Sequence, residues 1–214
     1  MKKSIYQAIY QSINQPIRIT LQQTEQIIQQ LWHSELFSEG EKPDVYAILD
    51  GARNRKIQPM LKSFNQRHYC LFDGELDYSL TRAAPYMMRL EEGSDFTREL
   101  VRQAWGNSWG IFAIAPHNIS LIRVRRNCKE IAFVESEQGK KMLFRYYDPR
   151  VMRVYLPTCL PDELDMIFGP VSAYVMESED GTGINCFSLQ QPELVLQVET
   201  LSIEHYGKEQ NEHI

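Results

Sequence analysis

Hydrophobic positions along this chain follow two rhythms. Leu21, Thr24, Ile28, Leu31 and Trp32 recur at helical spacing behind Thr20, and Gln23 stands three residues after Thr20 as its capping-box partner. A helix is therefore predicted there, with a glutamine-rich face left to water. "VYAIL", from Val45 to Leu49, is instead unbroken, as a strand buried on both faces requires, and Asp50-Gly51 ends it. Helical spacing returns with Ile57, Met60, Leu61 and Phe64, although Pro59 places the start of regular helix close to Gln58. A second apolar run, "YCLF", ends at Asp73-Gly74. Two strands that each end in Asp-Gly around a helix predict a β-α-β unit, with parallel strands and with Asp50 and Asp73 together at one sheet edge.

The same two rhythms continue. "PYMMRLEE" reads as a strand, and Ser94 then caps a helix that buries Phe96, Leu100, Val101 and Ala104 and stops at Gly106. "WGIFAIA" is another buried strand, followed by a short helix carrying Leu121 and Ile122 with Asn118 as its predicted cap. "EIAFVESEQGKKMLFRYY" alternates on both sides of Gly139, the pattern of a hairpin. Pro161, with Asp162 and Glu163 behind it, starts a helix that Gly169-Pro170 stops. "VSAYVM" is predicted to close the main sheet, with two further strands between 184 and 201 and a frayed end beyond. The expected fold is α/β: a mixed, partly parallel sheet with flanking helices, in a single main domain plus a small C-terminal extension.

Composition narrows the function. The chain has 214 residues, 43% hydrophobic and 24% charged, the profile of a folded globular protein with one core. Its net charge of -5 is unevenly placed: seven acids against Lys208 alone follow from Glu179 onward, leaving the body nearly neutral. That balance argues against nucleic acid or an anionic membrane as the main partner. The N-terminal stretch has no apolar core of a signal peptide, and no apolar run is long enough to span a bilayer, so a cytoplasmic location is expected. Cys70, Cys128, Cys159 and Cys186 form no CxxC and are expected as reduced thiols.

The candidate chemistry concentrates in "RYYDPRVMR", residues 145–153. Asp148 has the side chain of an N-cap and Pro149 suits the first helical position, so Asp148 reads as a cap, not as a general acid. Arg145 on a strand, and Arg150 and Arg153 on the new helix, are placed to pair with Asp50 or Asp73. "WGNSWG" contains the Asn-Ser-Trp-Gly that surrounds the asparagine of papain-like cysteine proteases, but His68 and Cys70 stand in the wrong order for that family. A helix end at Gly106 and a turn with two tryptophans at the core rim is the simpler account. There is no P-loop, GxGxxG, HExxH or GxSxG, and the five histidines are scattered, so neither a cofactor nor a metal is expected. Arg123, Arg125, Arg126 and Lys129 read as a solvated helix face.

Taken in order, "YAILDGAR", "CLFDGE", "APYMM", "WGNSWGIF", "LFRYYDPRVMRVYLPT" and "FGPV" resemble the adaptor-chaperones of bacterial type VI secretion, the Tap or Tec family. The resemblance divides the chain into an N-terminal helical segment (1–44), an adaptor core (45–176) and an acidic C-terminal extension (177–214). It implies a protein without catalysis that binds a toxic effector in the producing cell and assists its loading onto the VgrG spike, directly or through the effector. The same resemblance makes Asp50, Arg53, Asp73, Glu75, Trp105, Trp109, Arg145, Tyr147, Asp148 and Arg150 the candidate partner-binding surface. Leu160 departs from the family pattern, standing where Thr or Ser would cap the helix at Pro161. Two other functions are compatible with the residues: a small hydrolase using Asp50, Asp73 and the Tyr147-Asp148 edge, which requires a carboxylate raised in a deep pocket, and an immunity protein that blocks the toxin.

Overall fold

A computed structural model describes residues 17–34, 42–136 and 138–203. The capping box at Thr20 forms as predicted: Thr20 Oγ1 accepts from the Gln23 amide and Gln23 Oε1 from the Thr20 amide, opening α1 (Leu21–His33). There follow β1 (Asp44–Asp50), α2 (Ile57–Ser63), β2 (Tyr69–Cys70), α3 (Tyr78–Ala83), β3 (Pro85–Arg89), α4 (Asp95–Ala104) and β4 (Gly110–Ala115). The second half comprises α5 (Leu121–Glu130), β5 (Phe133–Glu135), β6 (Lys141–Leu143), α6 (Pro149–Tyr155), a 3-10 turn at Leu156–Thr158, α7 (Pro161–Phe168), β7 (Ala173–Glu177), β8 (Gly183–Gln190) and β9 (Val195–Ser202).

Seven of these strands form one sheet in the order β2-β3-β1-β4-β7-β8-β9, and every neighbouring pair is antiparallel; β5 and β6 form a separate antiparallel hairpin around Gly139. This corrects the partly parallel sheet expected from sequence. The pattern of strand, helix, strand between 45 and 73 is real, but β3 inserts between β1 and β2 and pairs with both. The two strands therefore run in the same direction without touching. Periodicity cannot reveal such an insertion, because it reports burial and not the identity of the neighbour. β7 does not close the sheet either, since β8 and β9 continue it through an unbroken hairpin.

β1 is buried at all seven positions because both of its faces are covered. Val45, Ala47 and Leu49 face a core with Ile27, Leu31 and Trp32 of α1, Ile57 and Leu61 of α2, and Phe96, Leu100 and Val101 of α4. Tyr46 and Ile48 face the other core, with Val124 and Cys128 of α5, Met152 of α6, and Leu164, Ile167 and Phe168 of α7. The cap of α5 is Ser120, not Asn118, and Ile122 is 78% exposed while Val124 and Cys128 carry the packing. At α7 the leucine before Pro161 provides no side-chain acceptor; Glu163 Oε2 accepts from the Leu160 amide at 2.7 Å, giving half of a capping box. No helix among the described residues is long and apolar enough to cross a membrane. The expectation of frayed final residues concerns a segment outside the described residues, apart from Ile203, which is buried.

Candidate functional site

The C-terminal end of β1 gathers charged side chains around buried carboxylates. Asp50 is fully buried. Its amide donates to the Trp109 carbonyl at 2.7 Å, tying the end of β1 to the start of β4, and its Oδ1 accepts from the Ala52 amide at 3.0 Å, which closes the turn. Its Oδ2 accepts from both Nε (3.1 Å) and Nη2 of Arg145, a residue 95 positions away. Gly51 is required beside it, because a Cβ there would lie 2.4 Å from the Ala84 carbonyl oxygen.

Asp148 is the N-cap of α6. Its Oδ1 accepts from the Arg150 amide at 3.0 Å, and the Arg150 guanidinium grips the same carboxylate through Nε (2.9 Å) and Nη2 (2.6 Å). Burial alone would raise the Asp148 carboxyl, but these bonds, together with the charges of Arg150 and Arg145, outweigh it and hold the group below the usual aspartate range. Both arginines are pushed above their ordinary value chiefly by the hydrogen bonds to their carboxylates. The buried Tyr147 has its phenol pushed well up, first by burial and then by the Asp50 charge.

Sequence reasoning missed Glu177, a third buried carboxylate at this end. It lies at the end of β7, where Oε2 accepts from the Gly106 amide at 2.6 Å and Oε1 from the Ser108 amide and hydroxyl, both at 3.0 Å. The turn it holds is the "WGNSWG" segment, whose Gly106 and Ser108 both adopt positive φ. Burial pushes the Glu177 carboxyl up, against the pull of those bonds. A lone acid closing an otherwise apolar run, "VSAYVME", was the available signal. Asn107 also escaped notice: its side chain bonds the Ile17 amide and carbonyl, fastening the segment before α1 to this turn.

The ten candidate residues therefore separate. Asp50, Trp105, Trp109, Tyr147 and Asp148 are buried; Trp105 stacks on Phe112, with centroids 6.1 Å apart. Arg145 and Arg150 keep 40% and 50% of their side chains exposed while bound to these carboxylates. Arg53 is exposed, and its Nε donates to the Asn107 carbonyl at 3.3 Å. Arg153 donates to the Glu177 carbonyl at 2.8 Å. Asp73 and Glu75 are exposed on the loop after β2, and Asp73 pairs with Lys129 of α5 instead of joining Asp50. Three buried acids thus anchor turns, and three guanidinium groups, Arg53, Arg145 and Arg150, reach the surface above them.

A scan against protein-family models matches residues 45–166 to the domain of unknown function DUF4123. The chain belongs to the DUF4123 family. That family is associated with type VI secretion. No curated protein and no solved structure matches the chain. The DUF4123 segment runs from β1 into α7, so it contains Asp50, Arg53, Arg145, Asp148 and Arg150 but stops before Glu177, whose carboxylate completes the site from outside it. Among the described residues no three His, Cys, Asp or Glu side chains come together as a metal site would require.

Proposed function

We propose that this protein is a non-enzymatic adaptor-chaperone of a type VI secretion system, which binds a cognate effector protein and assists its loading onto the VgrG spike. The observation that carries the reading is the family match together with the arrangement at the end of β1. Arg145 and Arg150 are oriented by buried carboxylates yet remain about half exposed. A guanidinium has five donors, and an aspartate grip uses two of them, so each head retains hydrogen-bonding capacity for a partner. Preorganised, half-exposed arginines are favoured anchors of protein interfaces. The carboxylates that the hydrolase alternative would use at this end are engaged in the fold: Asp148 is held low by its arginines, Asp50 accepts from Arg145 and a turn amide, and Glu177, the one raised by burial, accepts from Gly106 and Ser108.

The test is affinity capture of the protein from its native host with mass spectrometry of what accompanies it. A large toxin recovered together with VgrG is the expected result, and Arg53→Glu, which touches no buried carboxylate, should reduce toxin recovery without lowering the unfolding midpoint. The captured toxin should remain toxic, because an adaptor leaves the toxic domain free whereas an immunity protein blocks it. Recovery of neither protein while the secretion genes are expressed would overturn the reading.

A further inference from the structure

The two edges of the seven-stranded sheet are built differently. At one edge β2 is two residues long, and Arg125 Nη2 donates to the Cys70 carbonyl at 3.3 Å, so little free backbone remains. At the other edge β9 pairs with β8 over eight consecutive residues without a bulge, and among the described residues nothing pairs with its outer side. Soluble proteins protect such edges with lysine, proline, bulges or short strands, because a long open edge recruits another strand. β9, "VLQVETLS", has none of these devices: Glu199 is its single charge, and Val195 and Val198 are 47% and 52% exposed.

We propose that β9 is a homodimer interface, pairing antiparallel with β9 of a second copy so that the two sheets become one. The occupant is argued from register. Two identical antiparallel strands side by side are related by a two-fold axis normal to the sheet, and residues directly opposite must share a face, so the axis has to pass midway between the two copies of one residue. With the axis at Val198, Val198 meets its own copy, Val195 meets Leu201, Leu196 meets Thr200, and Gln197 meets Glu199. Apolar residues then oppose apolar or β-branched ones, and the Gln197 amide, which donates one hydrogen to Gln190 at 2.9 Å, has a second for the facing Glu199. Moving the axis to Glu199 places the two carboxylates opposite each other. Moving it to Gln197 places Glu199 against Val195. Of these three registers only the one centred on Val198 is self-complementary along the strand.

One strand pair is a small interface, so the dimer is reversible and forms with rising concentration. Sedimentation velocity of the full chain over a range of micromolar concentrations should show the mass approaching twofold. Val198→Lys, which sets two ammonium groups face to face, should return it to monomer, with an unfolding midpoint equal to that of the wild type at concentrations where the wild type is itself monomeric. Val198→Cys should give a covalent dimer under mild oxidation, since opposite Cα atoms of an antiparallel pair fall within disulfide reach, whereas Ile122→Cys on α5 should not. A monomer at every concentration would overturn the proposal, as would a dimer that Val198→Lys leaves intact or that Val198→Cys fails to cross-link. Cross-linking of Val198→Cys to an effector protein in place of itself would overturn the second copy as occupant and assign the edge to the effector.

Discussion

β1 has a buried aspartate at each end, and each is held by an arginine, yet the two ends are built for different work. At Asp50 the donors include backbone amides, and the guanidinium of Arg145 comes from a distant loop. Asp148 and Glu177 repeat the scheme beside it, each accepting from at least one main-chain N–H. At the other end, among the described residues, Asp44 accepts only from side chains: Arg89 Nη2 at 2.5 Å and Tyr46 Oη at 3.4 Å, with His117 Nδ1 at 3.0 Å. That end opens on a cleft of about 860 Å³ lined by Trp32, Lys42, Arg67, Glu92 and His117 among others. A carboxylate that bonds main-chain amides defines the path of the chain. One that bonds only movable side chains organises a surface and leaves the path alone, so removing it should cost less.

The largest effect that tests this contrast comes from the turn the Asp50 end supports. Trp109→Ala should lower stability by about 3–5 kcal/mol, read from denaturant unfolding, because the ring is buried in the core. A loss below about 1 kcal/mol would mean that the ring is not core. Asp50→Ala should follow at about 2 kcal/mol, since it removes a fully buried carboxylate that holds both the turn at Ala52 and the Arg145 guanidinium. Asp148→Ala should cost about 1 kcal/mol through the lost cap, its arginines being free to turn to water. Asp44→Asn should be smallest, about 0.5–1 kcal/mol, because Arg89 and His117 are half exposed. If Asp44→Asn instead cost as much as Asp50→Ala, the distinction between main-chain and side-chain donors would fail.

Acid pH sharpens the comparison within the Asp50 end itself. The folded Asp148 carboxyl lies below its unfolded value, so its stabilisation is present above the unfolded pKa and is lost as pH falls through the folded one. Glu177 has the opposite sign: its folded value is raised, so its contribution is complete below the unfolded pKa and declines as pH rises through the folded one. Unfolding midpoints of the wild type, Asp148→Asn and Glu177→Gln between pH 3 and 7 should therefore diverge, with Glu177→Gln flattening a decline toward neutral pH and Asp148→Asn flattening a decline toward acid. The buried thiols set a control at the alkaline side, since burial pushes Cys128 and Cys186 up to about 12 and keeps them unreactive near neutrality.

Several features are legible in the sequence alone. The capping box at Thr20, the Ser94 and Asp148 caps, the hairpin at Gly139 and the double burial of β1 all follow from local chemistry, because a cap or an amphipathic face needs only residues within a few positions. The grip of Arg145 on Asp50 was within the sequence expectation, whereas the separation of Asp73 onto Lys129 was not. Glu177 escaped because its partners, Gly106 and Ser108, lie about 70 positions upstream, and nothing in "VSAYVME" points to them.

By itself the amino-acid sequence determined where most helices and strands lie, how several of them begin and end, and the family blocks from "YAILDGAR" to "LFRYYDPRVMRVYLPT", since each depends on short-range periodicity, capping or residue identity. Only the tertiary structure decided that β3 enters between β1 and β2 and makes the sheet antiparallel, that the two tryptophans are core, and that β9 is the last strand of the sheet among the described residues. Those outcomes depend on which strand becomes whose neighbour. Strand pairing is a competition among distant backbone partners of nearly equal hydrogen-bonding capacity, and it is resolved by which arrangement covers both faces of the sheet at once.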